Sequence, residues 1–183
     1  MSGEEKKLPF TVHASRIVYT GRTFKVSEDE VTLPNGSLTY RQTVEHPGAV
    51  VVLPIKDDGN IILTYQYRHA LKKFLYEVPA GTLEVGEEPI FCAMREIIEE
   101  VHFEARTWKS LGTIYPAPGF CNEVQHLFLA TNLQPQSARC DEDEIIEVVE
   151  LSQSSFIDKL NSGEINDGKS IAVFFKARSL GLI

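Results

Sequence analysis

Two periods run through this chain, and the places where one gives way to the other mark its elements. Residues 49–55 read Ala-Val-Val-Val-Leu-Pro-Ile and residues 61–67 read Ile-Ile-Leu-Thr-Tyr-Gln-Tyr, with Asp57-Asp58-Gly59-Asn60 between them. Short apolar runs rich in β-branched residues and bounded by turn formers predict strands. The same signal predicts further strands at 74–78, 111–115, 124–130 and 145–151. Elsewhere the apolar step lengthens. Ile90, Ala93 or Met94, Ile97 and Val101 recur every three or four residues, one buried stripe that predicts a helix over 88–101. Two more helices are predicted at 154–161, with Gly163 just beyond, and at 170–180, with Gly181 at the end. Strands mixed with a few helices indicate a layered α/β or α+β fold.

The first 45 residues follow a different pattern. Val31-Thr32-Leu33 and Leu38-Thr39-Tyr40 flank Pro34-Asn35-Gly36-Ser37, and Asn-Gly between alternating segments is a strong hairpin signal. Residues from about 10 to 45 therefore read as a small antiparallel sheet, and the pattern changes near 45–48. We expect an N-terminal β-sheet region over 1–45 and a main domain over 46–183. A hairpin with so little core of its own needs a partner surface, so a homodimer is expected.

Composition narrows the partners. The formal net charge is -8, from 26 acidic and 18 basic residues, which gives no general attraction to nucleic acid or to an anionic membrane. An anionic substrate would have to be met by local arginines or a bound cation. The N-terminal residues carry no apolar run, and 49–55 is far too short to span a bilayer, so a cytoplasmic protein is expected. Cys92, Cys121 and Cys140 share no metal-ligand spacing and read as reduced thiols.

The polar face of the helix over 88–101 carries the candidate chemistry. Glu96, Glu99 and Glu100 stand at i, i+3 and i+4, neighbours on one surface. Such pairs repel by roughly 0.2 to 0.5 kcal/mol each, so a solvated acidic face would account for them if they stood alone. They do not stand alone. Gly81, five residues, Glu87, seven residues and then Arg95-Glu96-Ile97-Ile98-Glu99-Glu100-Val101-His102-Phe103 form one spaced set. This set resembles the Nudix box of the Nudix hydrolases at all but one defined position. The departure is His102, where the family has a glycine just past the helix, a place that often takes a left-handed backbone. Histidine is among the side chains that tolerate positive φ, so the turn is expected to survive at a cost of about 1 kcal/mol.

The resemblance implies a Nudix α/β/α sandwich with a mixed sheet. It also implies a metal site, with Glu96 and Glu100 as principal ligands, Glu99 as a direct or water-mediated one, and the backbone carbonyl of Ala80 completing the set. Oxygen donors without sulfur or paired imidazoles select hard cations, so Mg²⁺ is the expected cofactor and Mn²⁺ a possible substitute. A cation there would neutralise a diphosphate and acidify a bound water. Arg95 is expected to fix the carboxylates through charge-assisted hydrogen bonds, and Glu87 to be structural.

The similarity extends on both sides of the box. Tyr76-Glu77-Val78-Pro79-Ala80-Gly81, Tyr115-Pro116-Ala117-Pro118-Gly119-Phe120-Cys121-Asn122-Glu123, Val44-Glu45-His46-Pro47-Gly48-Ala49-Val50 and Tyr65-Gln66-Tyr67-Arg68 are similar to segments of ADP-ribose pyrophosphatases. The resemblance thus implies Mg²⁺-dependent hydrolysis of ADP-ribose or a related nucleoside diphosphate sugar, with Glu77, Pro118 and Gly119 at the substrate. Arg68 and Arg41 are candidates to grip phosphate, since a guanidinium donates two parallel hydrogen bonds. Phe24, Tyr19 or Tyr40 would stack on the base across a dimer. Within the acidic run Asp141-Glu142-Asp143-Glu144, Glu142 is the expected base for the attacking water and Glu144 the runner-up. Other Nudix substrates, such as GDP-mannose or dinucleoside polyphosphates, and a non-catalytic nucleotide sensor are the competing readings.

Overall fold

The computed structural model describes residues 9–136 and 146–183. They form two compact units, Met1–Pro47 with Ala117–Glu123, and Gly48–Pro116 with Val124–Ile183.

The first unit is a three-stranded antiparallel sheet, β1 (Thr11–Thr20), β2 (Lys25–Thr32) and β3 (Leu38–Glu45), in the order β1-β2-β3. Asn35 and Gly36 make the β2–β3 turn. Gly36 takes φ +83, and the Ser37 N–H donates to Asn35 Oδ1 at 3.0 Å, so the side chain stands in for a backbone turn bond. The register then runs unbroken from Thr32↔Leu38 to Lys25↔Glu45. β1 is less regular, with slips between Val12 and Ala14 and between Ile17 and Tyr19, and it is exposed along its whole length. Among the described residues of this unit, Val31 is the buried apolar side chain. The segment Ala117–Glu123 is tied to β3 by the Val44 N–H on Phe120 O at 2.7 Å and the Asn122 N–H on Val44 O at 3.1 Å.

The second unit is an α/β/α sandwich with a mixed sheet, the architecture the resemblance implies. Its mixed sheet has the order β7-β4-β9-β8, from β4 (Ala49–Pro54), β7 (Ala80–Thr82), β8 (Phe103–Ile114) and β9 (Gln125–Pro135). β4 and β9 are parallel, and the other neighbours are antiparallel. A second sheet, antiparallel, has the order β10-β5-β6, from β5 (Ile61–Arg68), β6 (Lys73–Glu77) and β10 (Ile146–Leu151). Three helices complete the unit, α1 (Pro89–Val101), α2 (Gln153–Ser162) and α3 (Gly168–Ser179).

The unbroken apolar runs are explained by burial on both faces. Val50, Val52 and Ile62 pack with Cys92, Ala93 and Ile97 of α1. Their neighbours Val51, Leu53, Ile61 and Leu63 pack with Phe156 of α2 and Val173, Phe174 and Ala177 of α3. Each face so covered contributes roughly 1.5 to 3 kcal/mol per buried aliphatic side chain. Of the two stripe candidates in α1, Ala93 is buried and Met94 is 36% exposed. Two strands are longer or newer than the pattern suggested. β8 starts at Phe103 rather than near 111, because most of its length is half-exposed and carries polar residues on its open face. β7 is three residues long and pairs with Ala49, Val50 and Val51, too short to leave a period. No helix of the described residues is long and apolar enough to cross a membrane.

Candidate active site

α1 begins at Pro89, whose missing N–H is no loss at a helix start, and ends at His102, which takes φ 61 and ψ 37. The left-handed turn expected at the departed glycine is therefore present, and the His102 N–H closes the helix on Ile97 O and Ile98 O. The apolar stripe of α1 packs against β4 and β5, which leaves Arg95 and Glu99 on the open side of the helix and Glu96 and Glu100 at its flank, Glu100 buried.

Arg95 is the hub of that face. Its guanidinium donates to Glu87 through Nε and Nη2, both at 3.2 Å, and through Nη1 to Glu96 Oε1 at 2.7 Å and Glu99 Oε2 at 2.9 Å. Burial disfavours its charge, but the Glu87 bond, the Glu96 charge and the Glu99 bond outweigh that and push its pKa up. The Arg95 bond, joined by the Glu84 N–H, holds the Glu87 carboxyl below its usual range. Glu100 is buried, and its Oε2 accepts the Ala80 N–H at 3.0 Å. Cys92, beside this cluster, has its thiol pushed up to about 12 by burial and by the Glu96 charge, which makes it inert as a nucleophile.

Gly81 has a specific reason to be glycine. A Cβ there would lie 1.9 Å from the Glu96 carboxyl carbon and from its Oε1. The carboxyl group of Glu96 occupies the space a side chain at Gly81 would fill, one residue after Ala80, whose carbonyl the resemblance implies as a metal ligand. Among the described residues no three acidic, histidine or cysteine side chains already close around one point as a cation site. The glutamates are instead turned to Arg95 and to the Ala80 N–H. The donor set itself, carboxylates with a backbone carbonyl, has the chemistry of a hard-cation site.

A second charged cluster belongs to the same unit. Arg68, at the end of β5, donates through Nε to Glu77 Oε1 at 2.8 Å and through Nη2 to Glu77 Oε2 at 2.7 Å. Lys169 Nζ also bonds Glu77 Oε2, and lies 3.1 Å from Asp167 Oδ2. Burial alone would raise the Glu77 pKa, but the Arg68 bonds and the Lys169 charge reverse the sign and lower it. Arg68 is shifted upward by the Glu77 bond, and the charge of Glu100 also acts on it. The two clusters are thus electrostatically coupled through Glu100 and Arg68.

Of the other sequence candidates, Arg41 is exposed on β3 of the first unit, opposite Asp29. Pro118 and Gly119 are exposed in the turn of that unit closed by the Cys121 N–H on Ala117 O at 2.9 Å. Tyr19 and Phe24 are ring neighbours at 5.8 Å, and Tyr40 donates to Glu30 at 3.2 Å. Glu142 and Glu144 lie outside the described residues. The sequence reading missed Lys169, Asp167 and Ser170. Lys169 is 92 positions from Glu77, and the only local sign was an Asp three residues before a Ser at a helix start, which reads as an N-cap.

A NUDIX domain model matches residues 45–173. The chain is 37% identical over 167 residues to the ADP-ribose pyrophosphatase of Bacillus subtilis (strain 168), covering 90% of each. It is 37% identical over 156 residues to the methanol dehydrogenase activator of Bacillus methanolicus, covering 84% of each. In fold it matches a solved ADP compounds hydrolase with a TM-score of 0.84, over 98% of this chain and 100% of that one, at 23% identity.

Proposed function

The chain belongs to the Nudix family of hydrolases, and from that premise we propose that it is a divalent-metal-dependent pyrophosphatase of ADP-ribose, releasing AMP and ribose 5-phosphate. The observation that carries this reading is the face of α1. Arg95 is shared among Glu87, Glu96 and Glu99, with Glu100 alongside on the Ala80 N–H. These carboxylates, together with a backbone carbonyl, make an oxygen donor set of the kind that suits a hard cation. The likeness to the Bacillus subtilis enzyme over 90% of both chains supports ADP-ribose as the substrate.

Glu96 and Glu100 are assigned as the principal metal ligands, Glu99 as a further one and the Ala80 carbonyl as the last. The bound cation, Mg²⁺ or Mn²⁺, supplies charge neutralisation and a more acidic water. Arg95 holds the ligating carboxylates in place. Arg68, 39% exposed at its side chain, grips a substrate phosphate. Glu142 takes the proton of the attacking water as its oxygen bonds one phosphorus. The bond between that phosphorus and the bridging oxygen breaks, the bridging oxygen leaves with the other phosphate, and two phosphate monoesters result. Arg41, Glu77, Pro118 and Gly119 are assigned to substrate binding. The exposed apolar residues of β1, Val12, Ile17, Val18 and Tyr19, support a homodimer formed through the first unit, where Tyr19, Phe24 or Tyr40 would meet the base.

The test is a panel of ADP-ribose, GDP-mannose and dinucleoside polyphosphates with Mg²⁺, with products identified by chromatography. ADP-ribose is expected to give the highest kcat/KM and to yield AMP, and Glu142→Gln to lower its turnover by roughly 100-fold or more. Binding of ADP-ribose without cleavage of any panel member would make the protein a sensor instead.

A further inference from the structure

Glu77 is a buried carboxylate with two cations on it, Arg68 and Lys169, and Asp167 beside Lys169 balances the second charge. Its side chain is 2% exposed, that of Lys169 13% and that of Arg68 39%. Arg68 covers both oxygens in a bidentate pair, while Lys169 reaches Oε2 from the inner side.

The two cations differ in how firmly they are mounted. Lys169 stands in the first turn of α3, where Asp167 caps the helix by accepting the Ser170 N–H at 3.0 Å and the Ser170 hydroxyl at 2.5 Å. Ser170 Oγ in turn accepts the Val78 N–H at 2.8 Å, which stitches this turn to the residue after Glu77. The backbone turn that carries Lys169 is thereby fixed, and its ammonium sits between Glu77 and Asp167. Arg68 is the last residue of β5, followed by a turn in which its carbonyl accepts the Leu71 N–H at 3.0 Å. It is the most exposed member of the cluster.

A buried carboxylate with one cation holds that cation fast, because releasing it would leave an uncompensated charge. A second, fixed cation removes that obstacle. An ammonium suits this task, since a compact point charge can stay on one oxygen whatever the guanidinium does at the other.

We propose that Lys169 is a positioning residue for substrate binding: by keeping the buried Glu77 carboxylate paired, it lets Arg68 turn from Glu77 to a substrate phosphate. This rests on the reading that Arg68 grips phosphate, and Lys169 acts through Arg68 without touching the substrate.

The experiment is a mutant cycle of Arg68→Ala, Lys169→Met and the double variant, with Lys169→Arg as the conservative control. KM and kcat for ADP-ribose with Mg²⁺, the Kd for ADP-ribose in metal-free buffer and the melting temperature are measured for each. Lys169→Met is expected to raise KM and Kd by about tenfold or more with kcat within about threefold of wild type, the pattern of lost uniform binding. Lys169→Arg keeps the cation and stays near wild type. Arg68→Ala raises KM by itself, and Lys169→Met adds nothing to it in the double variant. A lowered melting temperature with unchanged KM in Lys169→Met would overturn the proposal, as would a further rise in KM in the double variant. An unchanged KM in Arg68→Ala would instead overturn the phosphate reading on which the proposal stands.

Discussion

Arg95 and Arg68 both stand among carboxylates, but only Arg68 has a second cation beside it. Around Arg95 stand Glu87, Glu96 and Glu99, with Glu100 next to them, so the cluster is strongly negative. Around Arg68 stand Glu77 and Asp167, with Lys169 as a second cation, so the cluster is balanced. The difference separates two tasks that a pyrophosphate imposes. On the proposed function, the carboxylate oxygens of the first cluster would hold a hard cation and the guanidinium of the second would meet an anion. Glu100, whose charge acts on Arg68, puts the two within electrostatic reach of each other.

The comparison can be broken most severely at Gly81. The three atoms nearest to a methyl group there all belong to the carboxyl end of the Glu96 side chain, so the fold can yield by moving that carboxylate. Gly81→Ala is expected to leave the melting temperature within a few degrees of wild type and to lower turnover by about tenfold or more, the range lost when metal ligands are misdirected. A variant with full activity would detach Glu96 from the site.

The balanced cluster makes a different prediction, about stability. The folded pKa of Glu77 lies below its ordinary 4.5, so the stabilisation from its pairing is fully present above that value and is lost as the pH falls through the folded one. Thermal melts of wild type and Glu77→Gln from about pH 6 to about pH 3 should show the steeper acid loss in wild type. Parallel curves would mean that Glu77 is not held as an ion pair.

How readable these clusters were follows from where their members sit in the chain. Every partner of Arg95 falls between Glu87 and Glu99, on one helix and the loop before it, so spacing put Glu96 and Glu99 on one face and the resemblance to the Nudix box joined Glu87 and Arg95 to them. Arg68, Glu77 and Lys169 come from β5, β6 and α3. Lys169 left no signal in the sequence because nothing local pairs it with Glu77. The same logic holds for the fold. The strands covered on both faces were legible as apolar runs, whereas β8, half-exposed from Phe103 to Ile114, hid its first half behind polar residues.

The smallest effect belongs to the end of α1. His102 sits at φ 61, where a glycine would carry no Cβ penalty, so His102→Gly should stabilise the protein by up to about 1 kcal/mol with turnover unchanged. Urea melts decide it, and a loss of turnover would give His102 a role at the site.

The central claim is that the acidic face of α1 holds the cation on which ADP-ribose cleavage depends. It is tested by calorimetric titration of Mg²⁺ into wild type and into the Glu96→Gln/Glu100→Gln double variant, with ADP-ribose turnover followed in the same samples. Wild type should bind Mg²⁺ saturably, with turnover rising in step with occupancy. The variant should keep its melting temperature, lose the binding isotherm and fall in turnover by more than about 100-fold, beyond what outer-shell partners of a metal typically carry. Wild-type affinity for Mg²⁺ and wild-type turnover in the double variant would contradict the account.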